Sequence, residues 1–192
     1  MKVKILKESR EYDGFFKIDK ALLQYEKFNG EMSREITRLN FNRGDSVAVL
    51  LYNEDKDSVI LVRQFRYPAY VNNGPGWILE TIAGIIGDGR DAISVARAEL
   101  LEEAGYEVGN MKLISKFYVS PGGTSERIHL YIGNVHRRAS PGGGQANENE
   151  DIQVVEIPLD EAVRMVETGE ICDAKTTIAL QWLKLNKRHY QT

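Results

Sequence analysis

Glu99 and Glu103 stand four residues apart, with Glu102 three from Glu99, in the run Ala98-Glu99-Leu100-Leu101-Glu102-Glu103-Ala104-Gly105-Tyr106. On a helix this spacing puts the carboxylates of Glu99 and Glu103 on one face, with Glu102 on its flank. No Lys or Arg stands three or four residues from Glu99 or Glu103. Like charges so placed cost about 0.2–0.5 kcal/mol per pair. A hard divalent cation turns that liability into a site, because Mg²⁺ prefers carboxylate oxygen. An acidic helix face is more often plain solvated surface, so the triplet alone leaves both readings open.

The element that must position these groups is legible around them. Apolar Ile93, Ala96, Leu100, Leu101 and Ala104 recur at helical spacing. Asp91 is placed to cap the start, and Gly105 to end the helix in a left-handed conformation. The acidic residues are expected on an exposed face. A Gly-rich segment, Ala83-Gly84-Ile85-Ile86-Gly87-Asp88-Gly89, leads in.

Upstream, residues 1–43 read as β structure. Phe15–Asp19 and Leu22–Phe28 are short strands, Asn29-Gly30 is a hairpin signal and Glu31–Leu39 the returning strand. Ser46–Tyr52 and Ser58–Gln64 are apolar strands, Arg66–Trp77 a loop with two prolines, and Trp77–Thr81 a strand into the Gly-rich segment. Strands follow at Met111–Val119, His129–Val135 and Ile152–Ile157. Arg137–Asn147 is a flexible loop with three successive glycines. Leu159–Glu167 and Ala174–Lys187 are amphipathic helices. Strands and helices alternate without a regular βαβ pattern, so the fold class is α/β with a mixed sheet flanked by helices.

At 192 residues the chain suits one elaborated domain or two small ones. A net charge of −3 gives no reason to expect nucleic-acid or membrane partners. A single cysteine, Cys172, rules out an internal disulfide or a multi-cysteine zinc site. His129, His136 and His189 lack metal-ligand spacing and receive no role. No apolar run is long enough for a membrane span, and the first residues are no signal peptide. Cytoplasmic localisation is expected.

The stretch from Gly84 to Tyr106 resembles the Nudix box, G-x5-E-x7-R-E-U-x-E-E-x-G-U, with U apolar or aromatic. Gly84, Glu99, Glu102, Glu103, Gly105 and Tyr106 match in register. Arg90 stands where the family usually has Glu, and Ala98 where it usually has Arg. Those two form a structural ion pair in the family, and here both partners are absent together. The resemblance implies an α/β/α sandwich and divalent-metal chemistry.

Four further stretches narrow the likeness to the ADP-ribose pyrophosphatase branch, from about Phe15 to Leu185. They are Phe28–Ser33, the turn Ser120-Pro121-Gly122-Gly123-Thr124-Ser125-Glu126, the acidic loop Asn147–Ile152, and the last helix around Trp182. Carried over by position, the resemblance implies Glu99, Glu103, Glu150 and the Ala83 carbonyl as ligands of Mg²⁺, with Mn²⁺ the alternative, and Glu102 as their support. It makes Glu148 the base. It places Arg43, Arg66, Glu80, Gly122 and Glu126 on the substrate side, and Phe15 or Phe16 as the aromatic that stacks the base. A surface ion pair is the plainer reading of each charged residue taken alone.

Residues 1–43 are expected to form an N-terminal β extension that dimerises and contributes to the partner's pocket, and 44–192 the hydrolase domain. The expected function is Mg²⁺-dependent hydrolysis of ADP-ribose to AMP and ribose 5-phosphate. GDP-mannose is the alternative substrate, and a non-catalytic nucleotide-sugar sensor the rival of another class.

Overall fold

The charged opening of the chain is itself a strand. In the computed structural model, which describes residues 1–87, 89–145 and 150–190, β1 (Val3–Asp13) pairs antiparallel with β2 (Lys17–Tyr25), and β2 with β3 (Ile36–Asn42). β1 is exposed almost throughout, so it offers no alternating apolar face to read. The two segments expected at Phe15–Asp19 and Leu22–Phe28 form the single strand β2. Across the ladder, Arg10 donates from Nε to Asp19 Oδ1 at 2.9 Å. Asn29-Gly30 does turn the chain, with Gly30 at φ +84° and the Asn29 side chain accepting from the Glu31 amide at 3.1 Å. The connection is a wider loop than a two-residue hairpin, closed by a bridge between Glu26 and Met32. These strands belong to one compact unit, Met1–Asp45 with Phe117–Arg127.

The second unit, Ser46–Lys116 with Ile128–Thr192, is built around β4 (Ser46–Asn53) and β5 (Ser58–Phe65). A short helix, α1 (Tyr67–Val71), lies in the expected loop. The segment expected as one strand into the box is two, β6 (Trp77–Glu80) and β7 (Ile82–Ile85). The chain changes partner at Thr81, because β6 pairs with β5 and β7 with β4. Then come α2 (Ala92–Glu99), a π-helical turn (Leu100–Ala104), β8 (Tyr106–Tyr118), β9 (Arg127–Arg138), β10 (Gln153–Pro158), α3 (Leu159–Thr168) and α4 (Ala174–Tyr190). The sheet runs β10-β5-β4-β9-β8. It is mixed, since β4 is antiparallel to β5 and β7 and parallel to β9.

β4 explains the layers. Residues 46–52 are all buried, as a strand covered on both faces must be. Val47, Val49 and Leu51 cluster with Val95, Ala96, Leu100 and Ala104 of α2 and the π turn. Successive side chains alternate faces, so Ala48, Leu50 and Tyr52 point the other way. There the Tyr52 ring lies 6.4 Å from that of Tyr190 at the end of α4. Helices cover both faces of the mixed sheet, the α/β/α arrangement expected from the sequence.

Candidate active site

Asp91 caps α2 as its position predicts, its Oδ1 accepting from the amides of Ile93 and Ser94 at 3.0 Å. Gly105 ends the helical run at φ +75°. Between them the helix departs from α geometry, with residues 100–104 closing a π turn. Such a turn takes one residue more than an α turn. Leu100, Glu103 and Ala104 face inward and Leu101 and Glu102 outward. The expectation that Glu103 lies on an exposed face is therefore corrected: the residue is 5% exposed.

Glu103 meets strand β7. Its Oε2 accepts from the Ala83 amide at 3.4 Å. Burial pushes its carboxyl up to about 8, and the Glu99 charge adds to the shift. Ala83's amide and Arg66 oppose it, while Glu80 reinforces it. Gly84 explains its own identity. A Cβ there would collide with the Glu99 carboxylate, so glycine lets Glu99 lie across β7 beside Glu103. Two carboxylates of like charge, that of Glu103 buried and that of Glu99 admitted by a glycine, fit a hard divalent cation. Among the described residues no three metal-ligating side chains converge into a finished cage.

The Gly-rich loop after β9 is docked rather than merely flexible, because its glycines permit close approach. The amides of Gly143 and Gly144 donate to the carbonyls of Glu103 and Glu102 at 2.8 and 3.1 Å, and those of Ala139 and Ser140 to the carbonyl of Gly105. They satisfy carbonyls that the end of a helix leaves orphaned. Gly142 sits at φ +70°, and a Cβ on it would come within 2.6 Å of the Glu103 carbonyl oxygen. Gln145 then joins two predicted site residues. Its side-chain amide donates to Glu102 Oε2 at 2.7 Å, and its backbone amide to Glu150 Oε2 at 2.8 Å. Glu150 is thus linked to the helix through Gln145 and Glu102. Glu148 lies outside the described residues.

The residues expected on the substrate side fall in two groups. In the sheet unit, Arg66 donates from Nε to Glu80 Oε1 at 2.7 Å. In the N-terminal unit, the Arg43 guanidinium stands 5.5 Å from the centre of the Phe16 ring, and its Nε lies 3.5 Å from Glu126 Oε1. Phe16 also packs against Phe41 at 5.0 Å. Gly122 lies in a turn closed by the amides of Gly123 and Thr124 on the Ser120 carbonyl.

Comparison with known proteins decides the family. The NUDIX domain matches residues 42–180. The ADP-ribose pyrophosphatase of Escherichia coli (strain K12) is 40% identical over 185 residues, 96% of this chain and 88% of that protein. The chain belongs to the Nudix family. The GDP-mannose pyrophosphatase of Enterobacter sp. (strain 638) is 38% identical over 97% of both chains. A solved structure described as an ADP compounds hydrolase superposes with a TM-score of 0.73 over 98% of this chain, at 22% identity, and supports the fold.

Arg97, beside Ala98, donates from its two terminal nitrogens to the carbonyls of Val108 and Gly109, each at 2.6 Å. It ties α2 to β8. Three residues in this neighbourhood escaped sequence reasoning: Arg97, Gln145 and Lys175. Nothing in their local spacing marks the contacts that matter, which run from Arg97 to Val108 and Gly109, from Gln145 to Glu102 and from Lys175 to Glu80.

Proposed function

We propose that this Nudix protein hydrolyses the diphosphate bond of a nucleoside diphosphate sugar, with ADP-ribose as first substrate and AMP and ribose 5-phosphate as products. The observation that carries this is Glu103, a buried carboxyl pushed up to about 8 beside Glu99 over the bare Gly84, in a chain whose relatives along nearly its whole length carry pyrophosphatase names. Glu99, Glu103, Glu150 and the Ala83 carbonyl would hold Mg²⁺, or Mn²⁺ in its place. Such cations neutralise a diphosphate and acidify a bound water.

The residues divide the remaining work. Glu102 supports the metal-binding face and is itself held by Gln145. Glu148 accepts the proton of the attacking water. Arg66, whose terminal nitrogens have no hydrogen-bond partner among the described residues, offers a planar fork to a phosphate. In the N-terminal unit, Phe16 and Arg43 present an aromatic and a cationic plane suited to a purine, with Glu126 beside them. The enzyme acts in the cytoplasm as a homodimer through the β extension of residues 1–43. No helix among the described residues is long and apolar enough to cross a membrane.

GDP-mannose is the second reading, favoured by GDP-mannose pyrophosphatases that match as much of this chain as the ADP-ribose pyrophosphatases do. Turnover of ADP-ribose, GDP-mannose and other nucleoside diphosphate sugars with Mg²⁺ tests both. ADP-ribose is expected to give the highest kcat/KM. No turnover of any diphosphate-linked substrate would overturn the hydrolase reading in favour of a sensor.

A further inference from the structure

Behind Arg66 stands a buried lysine that the proposed chemistry does not use. Lys175, in the first turn of α4, keeps only 13% of its side chain exposed. Its ammonium donates to Glu80 Oε2 at 2.5 Å and to Asp173 Oδ1 at 2.9 Å. Burial opposes its charge, but Glu80 and Asp173 more than offset this and raise its pKa. Glu80 is 2% exposed, too deep to be a surface contact. Its two oxygens are divided between two cations, Oε2 to Lys175 and Oε1 to Arg66.

A second bond runs beside the first. The Thr81 amide donates to Thr176 Oγ1 at 2.8 Å, and Thr176 Oγ1 donates to Asp173 Oδ2 at 2.6 Å. Adjacent residues of α4 therefore clamp adjacent residues, Glu80 and Thr81, where the chain passes from β6 to β7. That is the strand whose Ala83 meets Glu103.

The division of Glu80 matters because a guanidinium and a carboxylate left to themselves pair through two parallel bonds. Here Arg66 reaches Glu80 through Nε alone. The geometry points to Lys175 as a positioning residue: by occupying one oxygen of Glu80, it prevents the two-bond pairing and leaves both terminal nitrogens of Arg66 for an anionic ligand. Glu80 then acts as the internal anchor of Arg66. The anion class is the diphosphate of the proposed substrate, so the inference rests on that reading for its ligand but not for its geometry.

The test compares full-length wild type with Lys175→Met and Lys175→Arg, reading KM and kcat for ADP-ribose and GDP-mannose with Mg²⁺. Lys175→Met frees Oε2 and draws Arg66 into the two-bond pair, so KM is expected to rise about tenfold with kcat within about threefold. Lys175→Arg keeps Oε2 occupied and is expected to keep KM within about threefold. Should Lys175→Met not fold, side-chain nitrogen NMR of Arg66 in wild type carries the test, and slow hydrogen exchange at a terminal nitrogen there overturns the proposal. A wild-type KM in Lys175→Met, or a fall in kcat with KM unchanged, also overturns it.

Side-chain nitrogen NMR of Arg66 supplies a readout independent of turnover. Lys175→Met is expected to slow hydrogen exchange at a terminal nitrogen as well as at Nε. If wild type hydrolyses no nucleoside diphosphate sugar yet this signature appears, the positioning role stands and the hydrolase reading falls. If the signature is absent, the positioning role falls whatever the activity.

Discussion

A carboxyl held as Glu103 is, with an ordinary value of 4.5 pushed up to about 8 by burial and by Glu99, couples folding to pH in a defined direction. The native state keeps a proton that the unfolded chain releases, so the stabilisation present below about 4.5 is lost as pH rises towards 8. Metal-free protein in a chelator should therefore unfold at lower urea as pH rises through this window. Mg²⁺ should restore most stability at the alkaline end, because it binds the ionised form. In Glu103→Gln this part of the pH slope should vanish, and turnover should fall at least about a hundredfold, beyond the usual effect of a residue behind the ligands. Near wild-type turnover at saturating Mg²⁺ would exclude Glu103 as a ligand. For Glu148→Gln the expected loss is in kcat, about 10²–10⁴-fold, with Mg²⁺ affinity retained. Calorimetric titration of Mg²⁺ separates that outcome from the loss of a ligand.

The elements show where reading the chain succeeds and where it stops. The cap at Asp91, the left-handed Gly105 and the register of Glu99, Glu102 and Glu103 were legible because each depends on neighbours within one or two turns. The inward turn of Glu103 was not, because a π turn has no spacing signature distinct from an α-helix in so short a run. Glycines are ambiguous in a different way: Gly142–Gly144 suit a mobile loop, yet here they let backbone lie against backbone at the end of the π turn. Lys175 meets Glu80 across 95 residues of sequence, and no local pattern announces such a pair. The docked loop makes its own prediction. Gly142→Ala places a side chain at positive φ and against the Glu103 carbonyl, so it should destabilise the protein by about 1–3 kcal/mol. Thermal unfolding checks this, and activity should fall with it, since Gln145 and Glu150 follow directly in the chain.

At the scale of the whole molecule, the N-terminal unit is the part whose removal says most. Deleting residues 1–43 should leave a monomer with weakened ADP-ribose binding, while Mg²⁺ binding through Glu99 and Glu103 is retained. Analytical sedimentation and calorimetry would show it, and a monomer binding ADP-ribose as tightly as the full chain would refute the shared role. That unit is not confined to the start of the sequence. Thr124 donates from its hydroxyl to the Phe41 carbonyl, 83 residues away, at 2.8 Å, the Phe41 amide donates to the Gly123 carbonyl at 2.8 Å, and Arg127 grips Asp45 at 2.7 Å. Residues 117–127 are thus a second, separately encoded piece of the same body. A ribbon removed alone would strand the partners it has there, the Thr124 hydroxyl and the Gly123 carbonyl among them. Kindred genes without the ribbon should also carry a shortened turn between the strands corresponding to β8 and β9, the two lengths changing together.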